Sequence, residues 1–236
     1  MLRVLNSGVK RLNSIMLDNK TVLITGADGV LGQAASQVAK TLGANTIELD
    51  LAFRTPADNK YTIDLTKKNL VLELIEGLGH IDAVFNIAGG FAMGPTVHET
   101  SEEQWRQMYQ MNVATALNVI EAVTPQMQTR GRGAIVNVGA MSAREGQANM
   151  GAYISAKSTV MRITESMAKE LKTMGINVNA VLPSIIDTPT NREAMPEDDH
   201  SKWVPPKSLA KVMCFLASDS ATALHGALIP VSGLSE

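Results

Sequence analysis

The sequence predicts an α/β fold, a single domain on a doubly wound parallel sheet of about seven strands with helices on both faces. Three observations predict it. Short β-branched runs alternate with longer stretches of helical periodicity. The short runs are mainly apolar rather than alternating, as strands buried on both faces are. A glycine-rich turn, T-G-A-D-G-V-L-G (Thr25–Gly32), lies between the first run and the first helical stretch.

The strand-like runs are Thr21–Thr25, Asn45–Leu49, Tyr61–Ile63, Ala83–Ile87, Ala134–Val138, Asn177–Leu182 and Ala227–Val231. Helices are expected over Val30–Leu42, Lys67–Gly77, Ser101–Gln128, Gly151–Met174 and Lys207–Ser218. Ser101 and Gln104 have the spacing of a capping box, in which side chain and backbone satisfy each other at a helix start. Val160, Ile163, Met167, Leu171 and Met174 form an apolar stripe that reads as core or subunit contact. Pro189, Pro196, Pro205 and Pro206 punctuate a stretch of mixed charge. It reads as a long loop or helical flap, and such segments in compact domains are usually functional.

A chain of 236 residues, 45% hydrophobic and 19% charged, suits one globular core. The net charge of −2 gives no field for nucleic acid or an anionic membrane surface, so neither is an expected partner. No apolar run approaches the roughly 20 residues needed to span a bilayer. Cys214 sits in an apolar helical stretch and reads as a buried, reduced thiol. His80, His98, His200 and His225 have no ligand spacing, so no metal site is expected. Residues 1–16 read as an N-terminal extension to a domain over 17–236. Leu2, Leu5, Val9 and Leu12 form a helical stripe amid Arg3, Lys10 and Arg11. A plain extension implies a cytoplasmic protein; a basic, acid-poor transit peptide implies a mitochondrial one.

Chemistry enters at two places. Gly26, Gly29 and Gly32, with Asp28, Val30 and Leu31 between them, form a turn tight enough for backbone to approach a dinucleotide pyrophosphate. The following helix start presents free N–H groups to that anion. Asp50 closes the second strand, where a carboxylate accepts the adenine-ribose hydroxyls and repels a 2′-phosphate. NAD(H) is therefore preferred. Arg54 is the opposing signal, since guanidinium pairs with phosphate, and it leaves NADP(H) possible. The second place is Tyr153 and Lys157, in Y-I-S-A-K. They lie one helical turn apart, so the ammonium is expected to lower the phenol's pKa and make it a tuned acid–base group.

With these residues in place, Thr21–Gly233 resembles the short-chain dehydrogenase/reductase family. Further motifs carry the resemblance: Asp64-Leu65-Thr66, Asn86-Ile87-Ala88-Gly89, Asn112 in M-N-V, and Pro183-Ser184-Ile185-Ile186-Asp187-Thr188. It implies a Rossmann-type fold and hydride transfer between nicotinamide and a carbonyl, alcohol or imine-type small molecule. Tyr153 would be the proton carrier. Lys157 would also bind the nicotinamide ribose, and Asn112 would hold a water linking Lys157 to solvent. Asp64 with Leu65 would meet adenine. Asn86, Ala88 and Gly89 would line the cofactor. Pro183, Ile186 and Thr188 would hold the carboxamide. A homodimer or homotetramer built on the helices near Ser101–Gln128 and Gly151–Met174 is also implied.

Two departures stand out. Val30 occupies the place of the family's middle glycine, with Gly29 before it. Ala140 occupies the place of its usual serine; Ser142 is either the substitute or a plain loop residue. The segments A-G-G-F, G-A-M-S-A and Leu182–Trp203 are similar to the dihydropteridine reductase-like branch, which implies an NADH-dependent pterin reductase as the alternative activity. Met195 and Trp203 either cover a planar or apolar substrate or pin the flap to the body. Phe91 and Met93 are expected in the substrate pocket. A reading from another class is a dinucleotide-binding regulatory or scaffold protein, weak in catalysis because of Ala140.

Overall fold

The computed structural model describes residues 16–235. The basic stripe at Leu2–Leu12 lies outside them. Seven strands form one sheet: β1 (Thr21–Thr25), β2 (Asn45–Asp50), β3 (Lys60–Thr62), β4 (Ala83–Asn86), β5 (Gly133–Val138), β6 (Ile176–Pro183) and β7 (Leu228–Val231). Every pairing is parallel, in the order β3-β2-β1-β4-β5-β6-β7. Each expected strand is present, its ends within one residue of expectation.

The helices are α1 (Val30–Thr41), α2 (Lys68–Gly77), α3 (Glu102–Tyr109), α4 (Thr115–Arg130), α5 (Gly151–Leu171), α6 (Pro189–Ala194) and α7 (Pro206–Leu216). Side chains of a strand alternate between faces, and β1 shows the result. Val22 and Ile24 pack with Leu31 and Val38 of α1 and Leu209 and Met213 of α7. Leu23 points to the other layer, with Val71 and Ile75 of α2 and Val119 and Val123 of α4. Burying such a side chain contributes about 1.5–3 kcal/mol, so apolar residues on both faces of each central strand fix the two-layer wrapping. Cys214 belongs to the α7 layer, and burial pushes its thiol up to about 12.

One expected helix is more complicated. Ser101–Gln128 is α3 and α4 joined by a π-helical turn at Gln110–Ala114. Ser101 does form the capping box with Gln104. The extra residue of a π-turn leaves local carbonyls off the helical ladder. Asn112 answers this: its Nδ2 donates to the Met108 carbonyl at 3.1 Å and to the Gly90 carbonyl at 3.0 Å. The turn is thereby fastened to the loop after β4.

The strand order sets the site. The chain winds outward from β1 to β3, then returns to place β4 on the other side of β1. Ligands of such sheets bind at this reversal, beyond the carboxyl ends of the strands. The segments leaving β1, β4, β5 and β6 are Gly26–Val30, Ile87–Gly90, Gly139–Ser142 and Ser184–Thr188, and all line one cavity.

Candidate active site

The cavity has a volume of about 2100 Å³, well above that of an ordinary small-ligand pocket of roughly 300–1,000 Å³. Gly26, Asp28, Gly29, Val30, Leu31 and Gly32 line one part of it. Gly26 has φ +62°, where a side chain is strained, and a Cβ would meet Ala88 backbone at 3.0 Å. At Gly32 a Cβ would lie 2.1 Å from the Gly26 carbonyl oxygen, so this position requires glycine. Val30 is tolerated because its side chain, the first of α1, is 38% exposed at the cavity wall. The first turn of α1 has no side-chain cap and no acidic residue. Its amides and positive dipole end suit an anion.

The end of β2 is polar and internally paired. Asp50 Oδ2 accepts the Asp28 amide at 2.8 Å and Oδ1 accepts the Leu51 amide at 2.7 Å. Each oxygen keeps a lone pair for a hydroxyl. Arg54 Nε lies 3.1 Å from Asp28 Oδ2. Asp64 accepts the amide and hydroxyl of Thr66 at 2.9 and 2.6 Å, and the hydroxyl bond leads in holding its carboxyl below the usual range. Asp50, Asp64 and Leu65 line the cavity, as do Ala88, Gly89, Pro183, Ile186 and Thr188. Asn86 does not. It is buried and donates to Asn137 Oδ1 at 2.9 Å, tying β4 to β5. Thr25, which the sequence reading passed over, joins β1 to the next loop: its hydroxyl accepts the Ile87 and Ala88 amides, both at 3.0 Å. A threonine at a strand end gives no sequence signal for that bond.

The Tyr153–Lys157 pair lies on α5. Tyr153 is half-buried and lines the cavity; Lys157, one turn later, is buried and donates to the Val138 carbonyl at 2.9 Å. Burial pulls the ammonium down to about 8 and pushes the phenol up to about 12. The expected acidification of Tyr153 by Lys157 is thus not what the structure gives. Desolvation prevails over a neighbour that is itself weakened by burial and bonded to a carbonyl. Gly89 packs tightly here: a Cβ would sit 2.6 Å from Asn112 Oδ1 and 3.4 Å from Lys157 Nζ. Asn112 Oδ1 and Lys157 Nζ therefore both border Gly89.

The substrate side is more open. The ring of Phe91 meets Tyr153 edge to face with centroids 5.0 Å apart, yet remains 58% exposed. Met93 and Met195 also line the cavity. Trp203 does not; it is 4% exposed and packs on His200 with ring centroids 4.4 Å apart. It pins the flap, because residues around it are bound to the C-terminal strand region through Leu234 N–H to Lys202 O at 2.9 Å. Ala140 is buried, while Ser142 is half-buried on the cavity wall. Sequence reasoning missed Arg106, Gln107 and Gln110 on the α3 side and Arg144 and Gln147 after β5, all lining the cavity. Nothing in their local pattern distinguishes them from a solvated face.

The dinucleotide fits these residues: an uncapped helix start, a glycine turn closed to any Cβ, and a carboxylate with free lone pairs share one cavity. Among the described residues no cluster of His, Cys, Asp or Glu could hold a metal ion, and no helix is long and apolar enough to cross a membrane.

Comparison with known proteins agrees with this geometry. Residues 20–199 match the family model described as short chain dehydrogenase. The chain is 30% identical to meso-2,3-butanediol dehydrogenase of Serratia marcescens, over 92% of this chain and 94% of that one. It is 29% identical to the 3-oxoacyl-[acyl-carrier-protein] reductase FabG of Thermotoga maritima, over 92% and 98%. The solved structure of aldohexose dehydrogenase from Thermoplasma acidophilum superposes with a TM-score of 0.84 at 26% identity, over 92% of this chain and 94% of that one. The protein belongs to the short-chain dehydrogenase/reductase family and is an oxidoreductase of that type with an NAD(P)-binding Rossmann-type fold.

Proposed function

We infer that the protein is an NAD(H)-preferring oxidoreductase acting on a carbonyl, alcohol or imine-type small molecule, with Tyr153 as its proton carrier. One observation carries the reading: Tyr153 and, one helical turn later, Lys157 line the same cavity as the glycine turn. Nicotinamide supplies the hydride in reduction and accepts it in oxidation. In reduction the substrate carbon gains the hydride and its oxygen or nitrogen gains the Tyr153 proton. A phenol at about 12 is fully protonated at neutral pH, the form a donor requires. The resulting phenolate is reprotonated from solvent. Lys157, at about 8, is still largely charged at pH 7 and favours that phenolate. Asn112 fastens the loop at Gly90 through bonds to its amide and carbonyl.

NAD(H) preference rests on Asp50, whose carboxylate opposes a second anion at the ribose. A quinonoid pterin is the second reading for the substrate. Ala140 offers no hydroxyl to a substrate oxygen, and the Phe91 ring beside Tyr153 is largely exposed. Both suit a flat imine better than a small ketone. A panel of ketones, diols, sugars and quinonoid pterin, followed by NADH absorbance, tests both readings. Tyr153→Phe should lower turnover of the active substrate by about 10²–10⁴-fold while NADH still binds. Undiminished turnover would remove Tyr153 from the chemistry; NADH binding with no turnover on any member would favour the scaffold reading.

A further inference from the structure

Five of the chain's 13 methionines line the one cavity: Met93, Met111, Met141, Met150 and Met195. They come from four separate segments: the loop after β4, the π-turn, the β5–α5 connection and the residue after α6. Tertiary structure, not a local run, gathers them. Tyr153 packs against two small apolar clusters, beside Met141 and Met150 on one and Met111 on the other. Met111 is seated against the loop after β4, since a Cβ at Gly90 would lie 2.0 Å from its sulfur. The Gly94 amide donates to the Asn149 carbonyl at 2.8 Å, which ties the Met93 loop to the Met150 segment. Phe91 completes this wall, its ring edge to face with that of Tyr153.

The polar groups on the same side are spent or outlying. Ser184, Thr188 and Asn191 line the cavity. The Ser184 hydroxyl donates to the Ser232 carbonyl at 2.9 Å. The Thr188 hydroxyl accepts the Asn191 amide at 3.2 Å, and Asn191 Nδ2 donates to the Ile186 carbonyl at 2.8 Å. That leaves the Ser142 and Tyr153 hydroxyls for a ligand, enough for one reacting oxygen. Gln107, Gln110, Arg144 and Gln147 are exposed at the rim. The rim charges cancel, Glu103 and Glu145 against Arg106 and Arg144, and Arg106 is paired with Glu102 and Glu103. A sugar or polyol brings many hydroxyls, and each one buried without a partner costs about 1–3 kcal/mol. An anionic substrate finds no net positive charge.

We propose that the substrate carries an apolar aromatic ring beside its reacting carbon, and that the methionine wall with Phe91 is the receptor for that ring. The proposal rests on the oxidoreductase reading above and narrows its substrate class. Thioether sulfur makes favourable contacts with aromatic ring edges, and the flexible methionine side chain adapts to rings of different size. Phe91 adds an aromatic partner of the kind that prefers offset or edge-to-face packing. The sugar and diol dehydrogenases among the relatives need hydroxyl partners that this wall does not supply.

The test is NMR of the protein labelled with ¹³C-methyl methionine, as its NADH complex. It is titrated with 2-acetylnaphthalene, cyclohexyl methyl ketone and fructose. The naphthyl ketone should move a subset of methionine methyl signals upfield, by the ring current, and these should include the signals missing from Met141→Gln and Met150→Gln. It should bind roughly threefold or more tighter than the cyclohexyl ketone, the scale of a sulfur–aromatic contact. Fructose should bind at least about tenfold more weakly, for want of partners. Each glutamine variant should lose about threefold or more in naphthyl affinity and still bind NADH, which shows that it folds. Absence of upfield methionine shifts overturns the proposal. So does fructose or the cyclohexyl ketone binding as tightly as the naphthyl ketone, or full naphthyl affinity in both variants. Naphthyl binding with the expected shifts but without NADH oxidation would uphold the ring receptor and remove the oxidoreductase reading for that ligand. Reduction of fructose in preference to the naphthyl ketone would uphold the oxidoreductase reading and remove the receptor.

Discussion

The ribose end and the substrate end of the same cavity differ in how their polar groups are used. On the proposed adenosine side each carboxylate is already bonded: Asp50 to two amides, Asp28 to Arg54 and, after β3, Asp64 to Thr66. At the substrate end Phe91 and Met93 are exposed, and the walls come from loops and a flap. The first region is set by the fold before any ligand arrives. The second is set by segments the fold only anchors. The proposed cofactor contacts are therefore fixed by bonds already present, and the proposed substrate contacts by loop packing.

The largest effect is expected where the fold and the cofactor region coincide. Gly32→Ala would place a Cβ 2.1 Å from the Gly26 carbonyl oxygen and 2.6 Å from Ala27 Cα, both backbone atoms that cannot swing away. Overpacking of that kind costs about 1–3 kcal/mol, and relief requires opening the turn. NADH binding should be lost while the sheet still folds, measured by titration beside urea unfolding. A Gly32→Ala protein that binds NADH as before would show that the turn does not seat the dinucleotide. The same change at Gly29, whose Cβ would meet only the Gly26 oxygen at 3.3 Å, should be far milder.

This pair of glycines also shows what the sequence made legible. Strand runs and the glycine turn are local patterns, and all the strands appear where their apolar character places them. Tyr153 and Lys157 were visible because a helical turn brings them together whatever the tertiary structure. Three things were not. The π-turn at Gln110–Ala114 has no residue signature, and the bond from Asn112 within it to Gly90 is a tertiary contact that local pattern does not reveal. The pKa of Tyr153 depends on burial, which outweighs the neighbouring ammonium that sequence spacing reveals. And Trp203 was readable as either lid or pin; only packing on His200 and its burial decide for the pin.

The middle-sized effect belongs to the substrate end. Ser142 is the hydroxyl on the cavity wall beside the buried Ala140. If it donates to the substrate oxygen, Ser142→Ala should lower carbonyl reduction by about 10²-fold, the loss seen when one oxyanion donor is removed. NADH affinity should not change, which separates this from damage to the cofactor region. Ala140→Ser in the same background should restore part of the rate. Steady-state kinetics on the best ketone of the panel decide it. A Ser142→Ala enzyme with full activity would shift weight to a flat imine substrate, which needs less stabilisation of negative charge.

The smallest effect lies beneath the ribose end and concerns stability rather than turnover. Glu48 of β2 is 4% exposed, and its Oε1 accepts from Ser36 at 2.5 Å, Lys40 at 2.7 Å, Thr46 at 3.0 Å and Asn59 at 3.1 Å. Burial acts to raise this carboxyl's pKa, but the bonds from Lys40, Ser36 and Thr46 together outweigh it, and the net shift is downward. A carboxyl lowered on folding contributes stability that is present above its unfolded value of about 4.5 and lost as pH falls through the folded one. Glu48→Gln should therefore cost about 2 kcal/mol at pH 7, the worth of a hydrogen-bonded charge. The gap to wild type should close as the pH is taken below 4.5. Urea unfolding at neutral and acid pH measures both. A gap that stays constant with pH would mean that the four donors hold shape at this strand, with the charge itself contributing nothing, and the ribose end would then owe its rigidity to hydrogen-bond geometry alone.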